Sequence, residues 1–149
     1  MITKRTKYAL KALLLLGEKS DAQNPVLISN LAKEGRIPRK FLELILLDLK
    51  NKGVLQSRKG KGGGYFLAKP ADKIQLSTIL RILEGPLAPL PCLSKTSYRK
   101  CDDCHDEGTC AIRLTMKKLY EQQLVYFEET TLQNMLEHES SDKALSYAI

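Results

Sequence analysis

The chain has 149 residues, 43% of them apolar, which fits one domain with a packed core and leaves room for an appended arm. Its formal charge of +7 and pI near 9.2 favour a polyanionic partner. No apolar run is long enough to span a bilayer, and Leu10 to Leu16 is short, broken by Lys11, and followed by no small-residue cleavage site. Membrane and secretory classes are therefore set aside, and the expected compartment is the cytoplasm. The charge is also uneven: Met1 to Lys73 holds 16 Lys+Arg against 6 Asp+Glu, whereas Ile74 to Ile149 holds 8 against 11.

Thr3 to Lys19 is predicted as the first helix, with Thr3 as its N-cap and a broad apolar face of Tyr8, Ala9, Ala12, Leu13, Leu15 and Leu16. Lys4, Arg5, Lys7 and Lys11 crowd its start, where cations oppose the helix dipole and a phosphate backbone would offset the cost. A solvated basic surface explains each lysine taken singly. A short helix from Ser29 to Gly35 follows, capped by Ser29 and closed by Gly35 through a left-handed residue. Pro38 then opens a helix whose Phe41, Leu42, Ile45, Leu46 and Leu49 recur at three and four residues until Lys52-Gly53 stops it.

Two short helices across a tight turn, the second exposing Arg39, Lys40 and Glu43 near its start, form the helix-turn-helix arrangement. A generic three-helix core would share this pattern, but the next segment separates the two. Val54 to Arg58 and Tyr65 to Ala68 read as strands around Lys59-Gly60-Lys61-Gly62-Gly63-Gly64, a hairpin with a basic tip where a winged helix carries its wing. Arg58, Lys59 and Lys61 are placed to reach phosphates or a narrow minor groove. A nucleotide-binding phosphate loop is disfavoured, since no Lys-Ser/Thr ending and no helix follow the glycines.

Ser77 to Glu84 is predicted as a helix capped by Ser77 and halted by Gly85-Pro86, and three of the six prolines fall between Pro86 and Pro91 as a stiff lead-in. All four cysteines, Cys92, Cys101, Cys104 and Cys110, lie within the following nineteen residues. In a reducing compartment such a run is expected to form one metal-binding or redox-active site rather than structural disulfides. Beyond it a long helix places Ile112, Met116, Leu119 and Tyr126 on one seam, with Tyr120, Leu124 and Phe127 beside it. A stripe that wide calls for a partner, most economically the same helix of a second copy. Thr131 to Leu136 adds a turn or short helix. From Glu137 onward a polar, fraying tail is expected, with the apolar tip Leu145 to Ile149 unassigned.

The expected fold is mainly α with a small β-hairpin. A winged helix-turn-helix domain covers residues 1–86, a cysteine-rich sensor loop 87–110, a dimerisation helix and following turn 111–136, and a polar tail 137–149. The TKYALKALLLL opening, I-P-x-x-F-L-E, G-V-L-x-S-R-K-G-K-G-G-G-Y-F-L, L-x-x-I-L-R-x-L-E-G-P-L and C-A-I-R-L together resemble the bacterial winged-helix repressors of the IscR, NsrR and CymR type, from about Met1 to Leu136. That resemblance implies homodimers on palindromic double-stranded DNA, and in several branches a [2Fe-2S] cluster that alters DNA affinity. From their positions in the chain, Lys4, Arg5, Arg58, Lys59 and Lys61 are expected mainly on phosphates and Arg39, Lys40 and Glu43 nearest the base edges. Lys59 stands where the family commonly has arginine, and lysine lacks the planar fork.

Among the thiols, Cys104 and Cys110 match the second and third cluster cysteines of the family and Cys92 the first. Arg113 and Lys7 stand where two branches supply a histidine or an aspartate ligand, so neither usual fourth ligand exists and Cys101 is the candidate in its place. The residues leave three states open: a [2Fe-2S] cluster, a structural Zn2+ held by four thiolates, and a metal-free Cys101–Cys104 thiol switch. Asp102, Asp103, Asp106 and Glu107 weigh against the last by disfavouring thiolates. His105 is a fallback ligand. An enzyme is not expected, because no second histidine lies near the cysteines and a four-thiolate site leaves no open position for a substrate water. A scaffold that turns the winged helix to protein contacts is a further alternative.

Overall fold

The structure is a computed structural model that describes residues 2–148, with side chains to Ser141. The elements run α1 (Lys4–Lys19), α2 (Ile28–Gly35), α3 (Arg39–Asn51), β1 (Leu55–Arg58), β2 (Gly64–Leu67), α4 (Leu76–Glu84), α5 (Ala111–Glu129) and α6 (Leu132–Ala148). This is the mainly helical fold with one hairpin that the apolar periodicity predicts.

The core is built around α1. Ala9, Ala12, Leu13 and Leu16 are fully buried against Leu31 of α2, Leu42, Ile45, Leu46 and Leu49 of α3, Leu55 of β1 and Ile79 of α4. Each fully buried leucine is worth about 1.5–3 kcal/mol of transfer free energy. Thr3 caps α1 as expected, its Oγ1 accepting from the Thr6 amide at 3.3 Å. Thr6 is itself buried, and Glu84 at the end of α4 receives both threonines: its Oε1 accepts from the Thr3 amide at 2.8 Å, the Thr3 hydroxyl at 2.7 Å and the Thr6 hydroxyl at 2.5 Å. These bonds hold the Glu84 carboxyl below the usual glutamate range, the Thr6 hydroxyl contributing most.

Several helix boundaries differ from expectation for reasons of long range. Ser29 lies inside α2, which starts after Leu27, because the Val26–Tyr65 bridge holds the preceding chain extended and the Leu27 carbonyl accepts from Asn30 and Leu31. Ser77 likewise lies inside α4, fully buried with no partner for its Oγ, because the Leu76 amide is taken by the Thr130 carbonyl at 2.8 Å. At the end of α2 the left-handed residue is Arg36 (φ 51°), not Gly35. Gly35 serves packing instead, since a Cβ there would lie 2.8 Å from Ile37 Cδ1.

The chain after α5 also departs from the predicted tail. A pair of main-chain bonds, Leu76 N to Thr130 O and Leu132 N to Ile74 O, both 2.8 Å, returns it beside α4. From there α6 packs on α1 with Leu132 and Leu136 buried, so the unit that follows the long helix belongs to the core of the first domain. The helix continues through the expected fraying region to Ala148, and the Ser140 and Ser141 hydroxyls bond the Leu136 and Glu137 carbonyls behind them. The side chains of the tip Leu145 to Ile149 lie outside the described residues.

Candidate nucleic-acid interface and cysteine loop

α2 and α3 meet at Arg36, whose left-handed backbone lets the Ile37 amide reach the Ala32 carbonyl at 2.9 Å and turns the chain sharply into Pro38, the N-cap of α3. Lys11 Nζ donates to the Gly35 carbonyl at 3.3 Å, so this lysine of α1 braces the turn. With Leu42, Ile45, Leu46 and Leu49 buried, α3 turns the opposite face to solvent. Arg39, Lys40 and Glu43 are all exposed, as the sequence predicts, Lys40 opposite the buried row and Arg39 and Glu43 on one flank, where Arg39 Nε pairs with Glu43 Oε1 at 3.4 Å. Phe41 is edge-on to Tyr8 of α1, ring centroids 5.9 Å apart, which sets the inclination of α3 on α1.

The wing is β1 paired antiparallel with β2, Leu55 opposite Leu67 and Arg58 opposite Gly64. Val26 extends it by a bridge to Tyr65, with N–H to O distances of 2.9 and 2.8 Å. Gly64 is required by that approach, since a Cβ there would fall 2.4 Å from the Val26 carbonyl oxygen. Arg58 lies across the base of the tip, donating to the carbonyls of Ala22 at 3.4 Å, Gln23 at 3.2 Å and Gly62 at 3.1 Å. Its guanidinium thus staples the wing to the α1–α2 loop, while Lys59 and Lys61 stand exposed at the tip.

At the start of α1 the expected cations divide. Lys4 and Lys7 are exposed, but Arg5 pairs with Asp48 of α3 and donates to the Leu83 carbonyl at 3.2 Å. Arg5 therefore ties α1, α3 and α4 together and is not a free phosphate ligand. Sequence reasoning missed these contacts of Arg5 and Arg58 because all but Gly62 of their partners are remote, 43 and 78 residues away for Arg5 and 35 and 36 for Arg58, with no local pattern to announce them.

The cysteine loop is made of turns. Cys92 is buried in a 3-10 turn, Pro91–Leu93, whose Pro91 carbonyl accepts from Arg99 at 3.2 Å. Cys101 is exposed and Cys104 half-buried, the Cys104 amide bonded to the Cys101 carbonyl at 3.3 Å. Desolvation first, then the neighbouring Cys92, Asp103 and Cys104, push the Cys101 thiol above its ordinary pKa. Cys110 is the N-cap of α5, its Sγ accepting from the Arg113 amide at 3.5 Å. Tyr98 donates to Glu107 at 2.5 Å, and Asp106 accepts from the Gly108 amide and the Thr109 hydroxyl, both at 3.0 Å.

Among the described residues no three His, Cys, Asp or Glu groups come together as a set that could hold a metal ion. Cys92 and Cys101 are in hydrogen-bond contact and Cys104 lies near enough to act on the Cys101 charge, but no third ligand joins them as a set.

α5 carries no buried residue along its whole length. Tyr120, Leu124 and Phe127 are half-buried on the side that leans on α4, where Arg81 and Glu128 pair at 3.3 Å. Ile112, Leu119 and Tyr126, seven residues apart, remain 68%, 49% and 59% exposed.

A helical hairpin with an outward basic face, followed by a glycine-tipped wing, defines a winged helix-turn-helix protein of the DNA-binding class. Residues 2–138 match the Rrf2 family, described as iron-dependent transcriptional regulators, and the chain belongs to that family. It is a DNA-binding transcriptional regulator and not an enzyme. An HTH-type transcriptional regulator of Rhodobacter capsulatus described as rrf2-like is 44% identical over 138 residues, covering 91% of this chain and 92% of that protein. The regulator NsrR of Oceanobacillus iheyensis is 28% identical over 144 residues, 97% and 95% of the two chains. In structure the chain is similar to CymR, the global cysteine regulator of B. subtilis, with a TM-score of 0.76, 24% identity and coverage of 93% and 97%. T. potens IscR follows at a TM-score of 0.71, 22% identity and coverage of 93% and 88%. At those identities the two structures speak for the fold. No helix among the described residues is long and apolar enough to cross a membrane.

Proposed function

We propose that the chain acts as a homodimeric repressor that binds palindromic double-stranded DNA and responds to the state of the thiols between Cys92 and Cys110. The bare seam of Ile112, Leu119 and Tyr126 carries this reading: a helix with no buried residue in its own subunit is completed by its copy in a second. Two α3 helices related by that two-fold axis would enter successive major grooves about 34 Å apart, which requires a palindrome. Lys4, Lys59 and Lys61 then supply phosphate contacts and Arg39, Lys40 and Glu43 approach base edges, with Arg5 and Arg58 holding the frame.

For the loop, the iron-dependent description of the family and four thiols in nineteen residues support an iron–sulfur occupant. The contact between the Cys92 and Cys101 thiols, with no third ligand joined to it, supports a bare-thiol response. Purification without oxygen, followed by a visible spectrum and analysis for iron, sulfide and zinc, separates these cases. Charge-transfer bands with iron and sulfide in equal amounts support the cluster, colourless zinc-loaded protein ends it, and metal-free protein leaves the thiols. In the same preparation a gel shift must weaken steeply with salt, because phosphate contacts release counterions. Salt-independent or absent DNA binding would remove the repressor reading itself.

A further inference from the structure

The row of α3 that points directly away from the core is not its charged row. At 100° per residue, the buried Leu42, Ile45, Leu46 and Leu49 centre on one direction, and Lys40, Leu44, Leu47 and Asn51 fall opposite it. Arg39, Glu43 and Lys50 lie to one flank. Leu44 is 64% exposed and Leu47 48%, although neither position is needed to cover the core. Single exposed leucines are ordinary on protein surfaces. Two successive ones at the summit of this helix, hemmed by exposed Arg39, Lys40 and Lys50, are not accounted for by solvation.

We infer that Leu44 and Leu47 read thymine, packing their side chains on the C5-methyl groups that A·T pairs present in the major groove. The inference rests on the reading of α3 as the helix that enters DNA. Its surroundings select the occupant: the flanking cations complement a polyanion, and within the major groove the thymine methyl is the apolar feature a leucine can cover. The same side chains also reject. A leucine over the amino group of cytosine or the O6 of guanine would strip its water and return no hydrogen bond, so G·C is penalised at that step. Leu44 is the stronger candidate, since base contacts cluster in the first half of a recognition helix. Lys40 one turn earlier suits guanine, and Glu43 beside it suits the cytosine amino group, so the half-site is expected to set a G·C pair next to thymines.

The test uses the full-length protein and a pool of duplexes with a randomised centre. The enriched duplex is resynthesised with deoxyuridine replacing thymidine at one symmetric pair of positions at a time, and affinities are compared by gel shift at one salt concentration. Burial of a methyl is worth about four-fold in affinity, so wild type should lose about fifteen-fold when both half-sites lose theirs at a position read by Leu44. Leu44→Ala should bind the thymidine and deoxyuridine forms of that position within about two-fold of each other, and Leu47→Ala should do the same at a neighbouring one. If wild type binds every deoxyuridine form as tightly as the parent duplex, thymine reading is overturned while DNA binding stands. If no duplex is enriched, both fall together. Should Leu44→Ala change the oligomeric mass in light scattering and leave the thymidine preference intact, the leucines serve a protein contact and the inference is overturned.

Discussion

Arg5 and Arg58 show how little residue type alone says about a basic surface. Both sit where a phosphate contact is expected from sequence, and both guanidiniums are committed to the protein, one across α1, α3 and α4 and the other across the wing. Lys4, Lys59 and Lys61 are left exposed for the phosphate contacts proposed above, while arginine, with its fixed fork of donors, does the bracing. Glu84 is the acidic counterpart. Its pKa is lowered in the folded state, so its contribution is fully present above the unfolded glutamate value of about 4.3 and is lost as pH falls through the folded one. Glu84→Gln is therefore expected to melt below wild type at pH 7, with the gap narrowing in acid below about pH 4. Thermal melts at the two pH values check this, and a gap that stays constant would show that the carboxylate charge is not what Thr3 and Thr6 bind.

Among the elements, those fixed by local pattern were legible and those fixed by distant partners were not. The apolar spacing of α1 and α3, and the glycine run between two short strands, placed these elements to within a residue or two. The starts of α2 and α4 fall one residue before the expected Ser29 and Ser77, but neither serine caps its helix: serine is a good cap in isolation, whereas here Tyr65 and Thr130 hold the main chain at the boundary. Gly35 was read as the left-handed terminator, and the chain instead puts Arg36 in that conformation so that Gly35 can pack under Ile37. The wing gives the sharpest test at this scale. Gly64→Ala sets a methyl against the Val26 backbone at a positive φ of 149°, and is expected to cost about 1–3 kcal/mol in urea unfolding and to weaken DNA binding. Unchanged stability would mean that the Val26–Tyr65 bridge does not tether the wing.

For the whole molecule, the wide stripe on the long helix was readable as a surface in need of a partner. The course of the chain after it was not, because Leu132 and Leu136 offered only a short apolar pattern and their site lies on α1. The cysteine loop stands between: its grouping is plain in sequence, but the arrangement of its thiols depends on turns and a helix cap that spacing does not specify. Leu119→Glu would put two carboxylates face to face at the centre of a paired α5, and is expected to weaken self-association roughly a hundred-fold. Sedimentation should then give the mass of one chain with the far-UV spectrum unchanged; an unaltered mass would place the subunit contact elsewhere.

The two 2.8 Å bonds that join Ile74 and Leu76 to Thr130 and Leu132 close the intervening chain into a noose, drawn flat where α5 lies along α4 beside the Arg81–Glu128 pair. One arm of that noose is α5, a rigid rod, and the other holds the stiff prolines and the thiols. A rod held at its far end and along one side resists sliding when the opposite arm tightens. In the proposed dimer, a chemical event among the cysteines should therefore reach the second subunit through this helix, as a change in the angle at which the two α3 helices face each other.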